Sequence, residues 1–215
     1  MENDDRTEMN WINIGIICGF LVSIIYPLLQ FISNLILGVI LASSMGILLS
    51  LASVGLYYFI CINKKNIISK IALFSNVIAG AMLTQMFLVQ LAIKSSKPEI
   101  IEQSSKWIWI TINHIHYGLD VAWDVYIFLG TVLFAISMYK HPKFGKILSI
   151  AGVIISLLLI TTNIISFPIP PYEEYIDFGP LIGLWYLTVT VKITFSKKWI
   201  KQKLDLITVL PLNQP

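Results

Sequence analysis

The chain has 215 residues, of which 56% are hydrophobic and 13% charged, with a mean hydropathy of +0.78. A soluble domain carries about 25% charged residues, so this composition excludes an ordinary water-soluble fold and points to a bilayer as the solvent. The formal net charge of +3 comes from lysines in short segments between apolar runs rather than on one face, which excludes a nucleic-acid-binding footprint.

In chain order, residues 1–10 carry Glu2, Asp4, Asp5 and Glu8 against Arg6. They lack the basic start and small-residue cleavage site of a secretory signal, so they read as a tail ahead of a retained first span. Apolar runs predict six transmembrane helices, at 11–32, 35–62, 67–93, 107–139, 146–167 and 178–197. The expectation is an all-α polytopic membrane helix bundle, with a tail at 1–10, the transmembrane domain at 11–199 and a second tail at 200–215. Pro27 with Ser33-Asn34 marks the first turn, and Asn63-Lys64-Lys65-Asn66 the second. A polar loop is expected from Lys94 to Lys106, around Pro98. Lys140-His141-Pro142-Lys143 breaks the fourth span from the fifth, and Pro168-Ile169-Pro170-Pro171 ends the fifth, because proline supplies no backbone donor.

The basic residues are unevenly shared. Arg6, the 63–70 and 140–146 segments and the C-terminal end hold twelve of the fifteen; Lys94, Lys97 and Lys106 make up the other side. The positive-inside rule therefore places both termini in the cytoplasm. The single arginine and abundant isoleucine suit an AT-rich bacterial genome, and hence a plasma-membrane protein. Cys18 and Cys61 both fall within spans and read as free thiols. Gly38, Ala42, Gly46 and Ser50, and Gly145, Ser149, Gly152 and Ser156, form small-residue stripes suited to close helix packing. Gly15 and Gly19 have the same spacing and suit either an internal helix contact or a homo-oligomer.

The fourth span holds the chemistry. Its 33 residues would extend about 50 Å as one helix, against a hydrocarbon core of about 30 Å. Gly118 is therefore a candidate bend, with Trp107 and Trp109 beyond it in the interface. At 100° per residue Asn113, Tyr117, Asp120, Asp124 and Thr131 share a face, flanked by His116, while His114 points elsewhere. A single polar stripe is expected to turn inward, away from lipid. His116 and Asp120, four apart, are spaced for an ion pair or hydrogen bond. Tyr26, Gln30, Ser43, Ser44, Gln85, Gln90 and Asn163 fall in the same outer half of their spans, and Glu173, Glu174 and Asp177 in the last outer loop; Asn76 is the chief exception. These positions predict an outward-facing polar, acidic pocket, with Asp120, Asp124, His116, Asn113, Tyr117 and Gln85 as ligand-binding residues.

Ionisable groups inside a membrane are functional candidates by default. No lysine or arginine accompanies the two carboxylates within the span, so a bound cation, or a proton on one carboxylate, would balance them. The first reading is thus binding or transport of a cation or small cationic ligand. The second is a metal-dependent intramembrane hydrolase, with His116, Asp120, Asp124 and Asp177 as candidate metal ligands. His-Glu-x-x-His is absent, and His114 and His116 are two apart, a poor chelating pair on a helix. The third is a non-catalytic accessory or scaffold protein. No glycine-rich phosphate loop or mid-span lysine occurs, and the sequence does not identify a cofactor.

Gly118-Leu-Asp-Val-Ala-Trp-Asp124, Lys140-His-Pro-Lys-Phe-Gly145, Phe167-Pro-Ile-Pro-Pro171 and Asp177-Phe-Gly-Pro-Leu-Ile-Gly-Leu-Trp-Tyr186 together resemble small bacterial multi-pass membrane proteins of unassigned function. The resemblance covers about the second half of the chain. It implies a fold and a location, with no catalytic residue to carry over.

Overall fold

The computed structural model describes residues 2–29, 31–102, 106–167 and 178–209. Among these residues it holds seven helices: α1 (Glu2–Leu29), α2 (Leu35–Asn63), α3 (Ile67–Glu102), α4 (Lys106–Met138), α5 (Gly145–Ser166), α6 (Gly179–Phe195) and α7 (Lys197–Val209). The first five contain stretches long and apolar enough to cross a membrane; α6 is apolar but has 17 residues.

Consecutive helices are neighbours from α1 to α6, and α6 returns to α1, which closes a ring. Short turns enforce this order. Asn34 caps α2 by accepting the Leu37 backbone N–H at 3.0 Å, and Asn66 accepts from Ser69 N at 2.7 Å at the start of α3. The turn into α5 requires Gly145, whose φ of +79° is strained for any residue with a Cβ.

The bundle reverses the polarity of a soluble protein. Ile36, Ile47, Phe74, Ile147 and Ile165 are more than half exposed, whereas Asn76, Asp124, Thr131 and Ser156 are fully buried. Backbone groups bond within the helices, and buried polar side chains either bond back to their own helix, as Ser156 does to Gly152 O, or reach a neighbouring one, as Asn76 does, as a lipid-facing exterior requires.

Helix contacts rest on the expected small residues. The ideal Cβ of Gly15 would lie 2.5 Å from Gly55 Cα, and that of Gly80 2.5 Å from Gly46 O. Gly19 faces the Thr190 side chain and Gly152 the Trp185 indole, whose Nε1 donates to Leu148 O at 2.9 Å. Gly15 and Gly19 thus serve contacts within one chain.

Several sequence expectations change. α4 is continuous through Gly118, which is exposed and causes no break. The polar segment from Lys94 extends α3 to Glu102, with Pro98 accommodated inside the helix. At 36 and 33 residues, α3 and α4 outrun a core of about 30 Å, and each lies along the other beyond it. α1 likewise begins at Glu2, ahead of its apolar run.

The tail expected from residue 200 onward is helical through residue 209: it belongs to α7, which starts at Lys197 and buries Ile200 and Leu204. Its Trp199 joins Phe59, Phe144 and His141 in an aromatic cluster with ring centroids 4.9–5.6 Å apart. Trp11 stacks on Tyr58, with 6.2 Å between centroids. The start of α1, the end of α2, the 139–144 turn and α7 therefore share one end of the bundle.

Candidate functional site

The polar stripe of α4 turns inward as expected. Asn113, His116, Tyr117, Asp120, Asp124 and Thr131 are all buried, and His114 is exposed. A cavity of about 300 Å³ opens toward the end of the bundle opposite α7. It draws Tyr26 from α1, Met86, Phe87, Gln90 and Lys94 from α3, and His116, Asp120 and Trp123 from α4. Asn163 of α5 and Gly179 of α6 complete it.

The expected lining residues divide into three groups. Asp120 and His116 reach the cavity; Asn113, Tyr117 and Asp124 are buried on the same helix but do not line it. Gln85 is exposed on the outer face of α3. Depth in the membrane suggested Gln85, but the helical phase decides. Leu83, Met86, Phe87, Gln90 and Lys94 follow the i, i+3, i+4 pattern of one face. Gln85 is five residues from Gln90, about 140° around the helix, so Gln90 takes the polar role.

Asp124 is fully buried and its Oδ2 accepts a hydrogen bond from Asn163 Nδ2 of α5. This joins two facing helices at the cavity wall. Asn113 turns back on its own helix, donating to Trp109 O at 2.8 Å. His116 packs its ring against Tyr117, with centroids 5.5 Å apart. Its Nε2 is buried and has no hydrogen-bond partner among the described residues, so the expected pairing with Asp120 does not form there. Trp123 Nε1 is in the same position. Two unpartnered nitrogens therefore sit in side chains that line one cavity, beside a carboxylate and the Tyr26 and Phe87 rings. Those rings meet edge to face at 6.2 Å.

A second polar node lies deeper. Asn76 Nδ2 donates to Ser53 Oγ at 3.0 Å and to the Tyr186 hydroxyl at 2.5 Å, and Tyr186 meets Thr131 Oγ1 at 3.2 Å. The node ties α2, α3, α4 and α6 together. Sequence reasoning identified Asn76 as out of place but could not supply its partners, which come from two other helices, α2 and α6.

Among the described residues no three His, Cys, Asp or Glu side chains gather in a geometry that could hold a metal ion. Asp177, a metal-ligand candidate, and Gln30, Glu173 and Glu174 lie outside the residues whose structure is described.

No family model, curated protein or solved structure matches the chain.

Proposed function

We propose that this is a six-span membrane protein with both termini in the cytoplasm, whose polar cavity faces outward and binds a small cation or a cationic group. One observation carries the reading: Asp120 is buried at the cavity wall, with Asp124 one helical turn along, on a helix that has no lysine or arginine after Lys106. A carboxylate in a low-dielectric wall would favour a cationic occupant, which would share the cavity with the Lys94 ammonium. Lys94 stands exposed at the rim and marks where the cavity meets solvent.

Binding is favoured over transport because the interior closes beneath the cavity. Ile127, Phe134, Met138 and Phe59 are essentially inaccessible and fill the path toward the α7 end. A structural role has its own support in the Asp124–Asn163 bond, which explains one of the two carboxylates by helix packing. We therefore assign ligand contact to Asp120 and positioning to Asp124.

The test is thermal unfolding of the purified protein in detergent, with metal chlorides and tetramethylammonium chloride at matched ionic strength. At least one cation should raise Tm by about 2–4 °C once most sites are filled. Asp120→Asn should lose that rise, and His114→Ala, altered on the exposed face, should keep it. If no cation stabilises the wild type, or Asp120→Asn responds equally, the reading is wrong.

A further inference from the structure

Next to the polar cavity lies a second one of about 360 Å³, of quite different character. It is a crevice between the end of α1 (Val22 to Pro27) and the start of α6 (Gly179 to Leu187), floored by Met45, Leu49, Leu83 and Ile127. Gly19 pinches α1 onto Thr190 below it. Pro27, Pro180 and Leu184 at its rim are exposed, so it opens on the side of the bundle that faces lipid.

The two spaces adjoin, because Tyr26, Leu83, Trp123 and Gly179 line both. At the junction stand the Trp123 indole and the Tyr26 ring, with Phe87 against Tyr26. Three aromatic rings that line one cavity with a carboxylate suit an ammonium group, which is drawn by cation–π attraction to rings and by charge to the carboxylate. An apolar slot leading from that box to the bilayer suits a hydrocarbon tail.

We propose that the ligand is an amphiphile with an ammonium head, held at Asp120 among Tyr26, Phe87 and Trp123, and an acyl or alkyl tail in the α1–α6 crevice. The inference rests on the cation-binding reading and extends it to a ligand class and a lateral route of entry. His116 Nε2, a buried nitrogen with no hydrogen-bond partner among the described residues, can accept from a primary ammonium head when the ring is neutral with its proton on Nδ1, a contact beyond the carboxylate. Two sources share this chemistry: a membrane lipid with an ammonium headgroup, and a free cationic amphiphile.

Gly183 gives the means of testing it. It lines the crevice, and a Cβ there meets nothing within 4 Å. Gly183→Trp should fill the slot without touching the polar cavity, and Gly183→Leu is a smaller version in case the larger one misfolds. Binding of tetramethylammonium and of decyltrimethylammonium is measured by calorimetry in nanodiscs made without ammonium lipids. A parallel set of nanodiscs contains phosphatidylethanolamine.

The wild type should bind the decyl compound about tenfold or more tighter than the tailless ion, from burial of the chain. Both Gly183 variants should lose that gain yet still bind tetramethylammonium, which also shows that they are folded. Weakening of decyl binding by phosphatidylethanolamine identifies a membrane lipid as occupant, and no weakening identifies a free amphiphile; both support the class. Equal affinity for the two ions, or a gain that survives both substitutions, overturns the tail site and leaves cation binding standing. Binding of a metal ion but not tetramethylammonium likewise overturns it. No cation binding at all removes both.

Discussion

Asp124 and Asn163 show how one bond can hold a membrane helix pair. Deleting the donor removes a hydrogen bond from a buried carboxyl group, so Asn163→Leu should destabilise the protein by about 1–3 kcal/mol. Replacing both partners by apolar groups removes the polar group that lost its donor, and Asp124→Leu with Asn163→Leu should recover part of the loss. Thermal unfolding of the two singles and the double in one detergent measures the coupling. Glycines give a second contrast. A Cβ on Gly130 would overlap Asn76 Oδ1 and lie 3.2 Å from Ala72 O, whereas one on Gly118 meets nothing within 4 Å. Gly130→Ala should therefore cost about 1–3 kcal/mol by overpacking. Gly118→Ala should gain roughly 0.5–1 kcal/mol from helix propensity, and the same melts would show it. The inward stripe of α4 was legible because a 3.6-residue period needs no partner to be read. Asn163 as the mate of Asp124, and Gln90 in place of Gln85, were not. They depend on the rotation of α3 and α5 about their own axes, which apolar sequence on every side leaves undetermined.

The docking of α7 turns on a histidine. His141, in the turn between α4 and α5, is enclosed by Phe59, Phe144 and Trp199 and accepts a hydrogen bond on Nδ1 from Lys143 N at 3.3 Å. Burial, reinforced by the Lys143 charge nearby, lowers its pKa from 6.5 to about 4. Well above pH 6.5 the ring is neutral whether the cluster is closed or open, and contributes no pH dependence. As pH falls from about 6.5 toward 4 the open state takes up a proton that the closed state refuses, so closure weakens. At pH 5 the loss is about 2 kcal/mol, or roughly thirtyfold more opening. Amide hydrogen exchange along α7, corrected for intrinsic rates, should speed up about twentyfold between pH 7, where the open state already holds part of its proton, and pH 5. His141→Phe should abolish the change, since an apolar ring suits the same cluster; persistence of the effect in that variant would assign it elsewhere. Here sequence reading stopped early. Ile200 and Leu204 have helical spacing, but five lysines within or beside the segment made it resemble a solvated tail. Only the aromatic shelf formed by α2 and the 139–144 turn supplies the face on which it packs.

The ring of six helices, closed by α6 on α1, bears on orientation. An even number of crossings returns the chain to its starting side, and Trp11 on Tyr58 together with Trp199 on Phe59 puts the start of α1 and α7 at one end. Long apolar runs made the all-helical class and the positions of the five long spans readable, because lipid demands continuous helices of known length. Ring closure was not readable, since it follows from the meeting of Gly19 with Thr190 and from side chains distant in sequence. The proposed sixth crossing is α6, whose 17 residues rise only about 26 Å. Lys192 near its end and the lysines of α7 would then lie at the membrane surface, where basic side chains favour the cytoplasmic leaflet. Single cysteines placed at Ser33 and at Pro142, in a background with Cys18 and Cys61 replaced by alanine, test the arrangement in intact cells. A membrane-impermeant maleimide should label position 33 and leave position 142 untouched until the membrane is opened. A fluorescent protein fused after Pro215 should fold and fluoresce, and an alkaline phosphatase fused there should stay inactive. Labelling of position 142 from outside would invert the protein and turn the acidic cavity to the cytoplasm. An active phosphatase with position 33 still exposed would instead mean that α6 does not cross. The cavity would then have lost its α6 wall, and Gly179 and Gly183 would no longer bound either space beside Asp120.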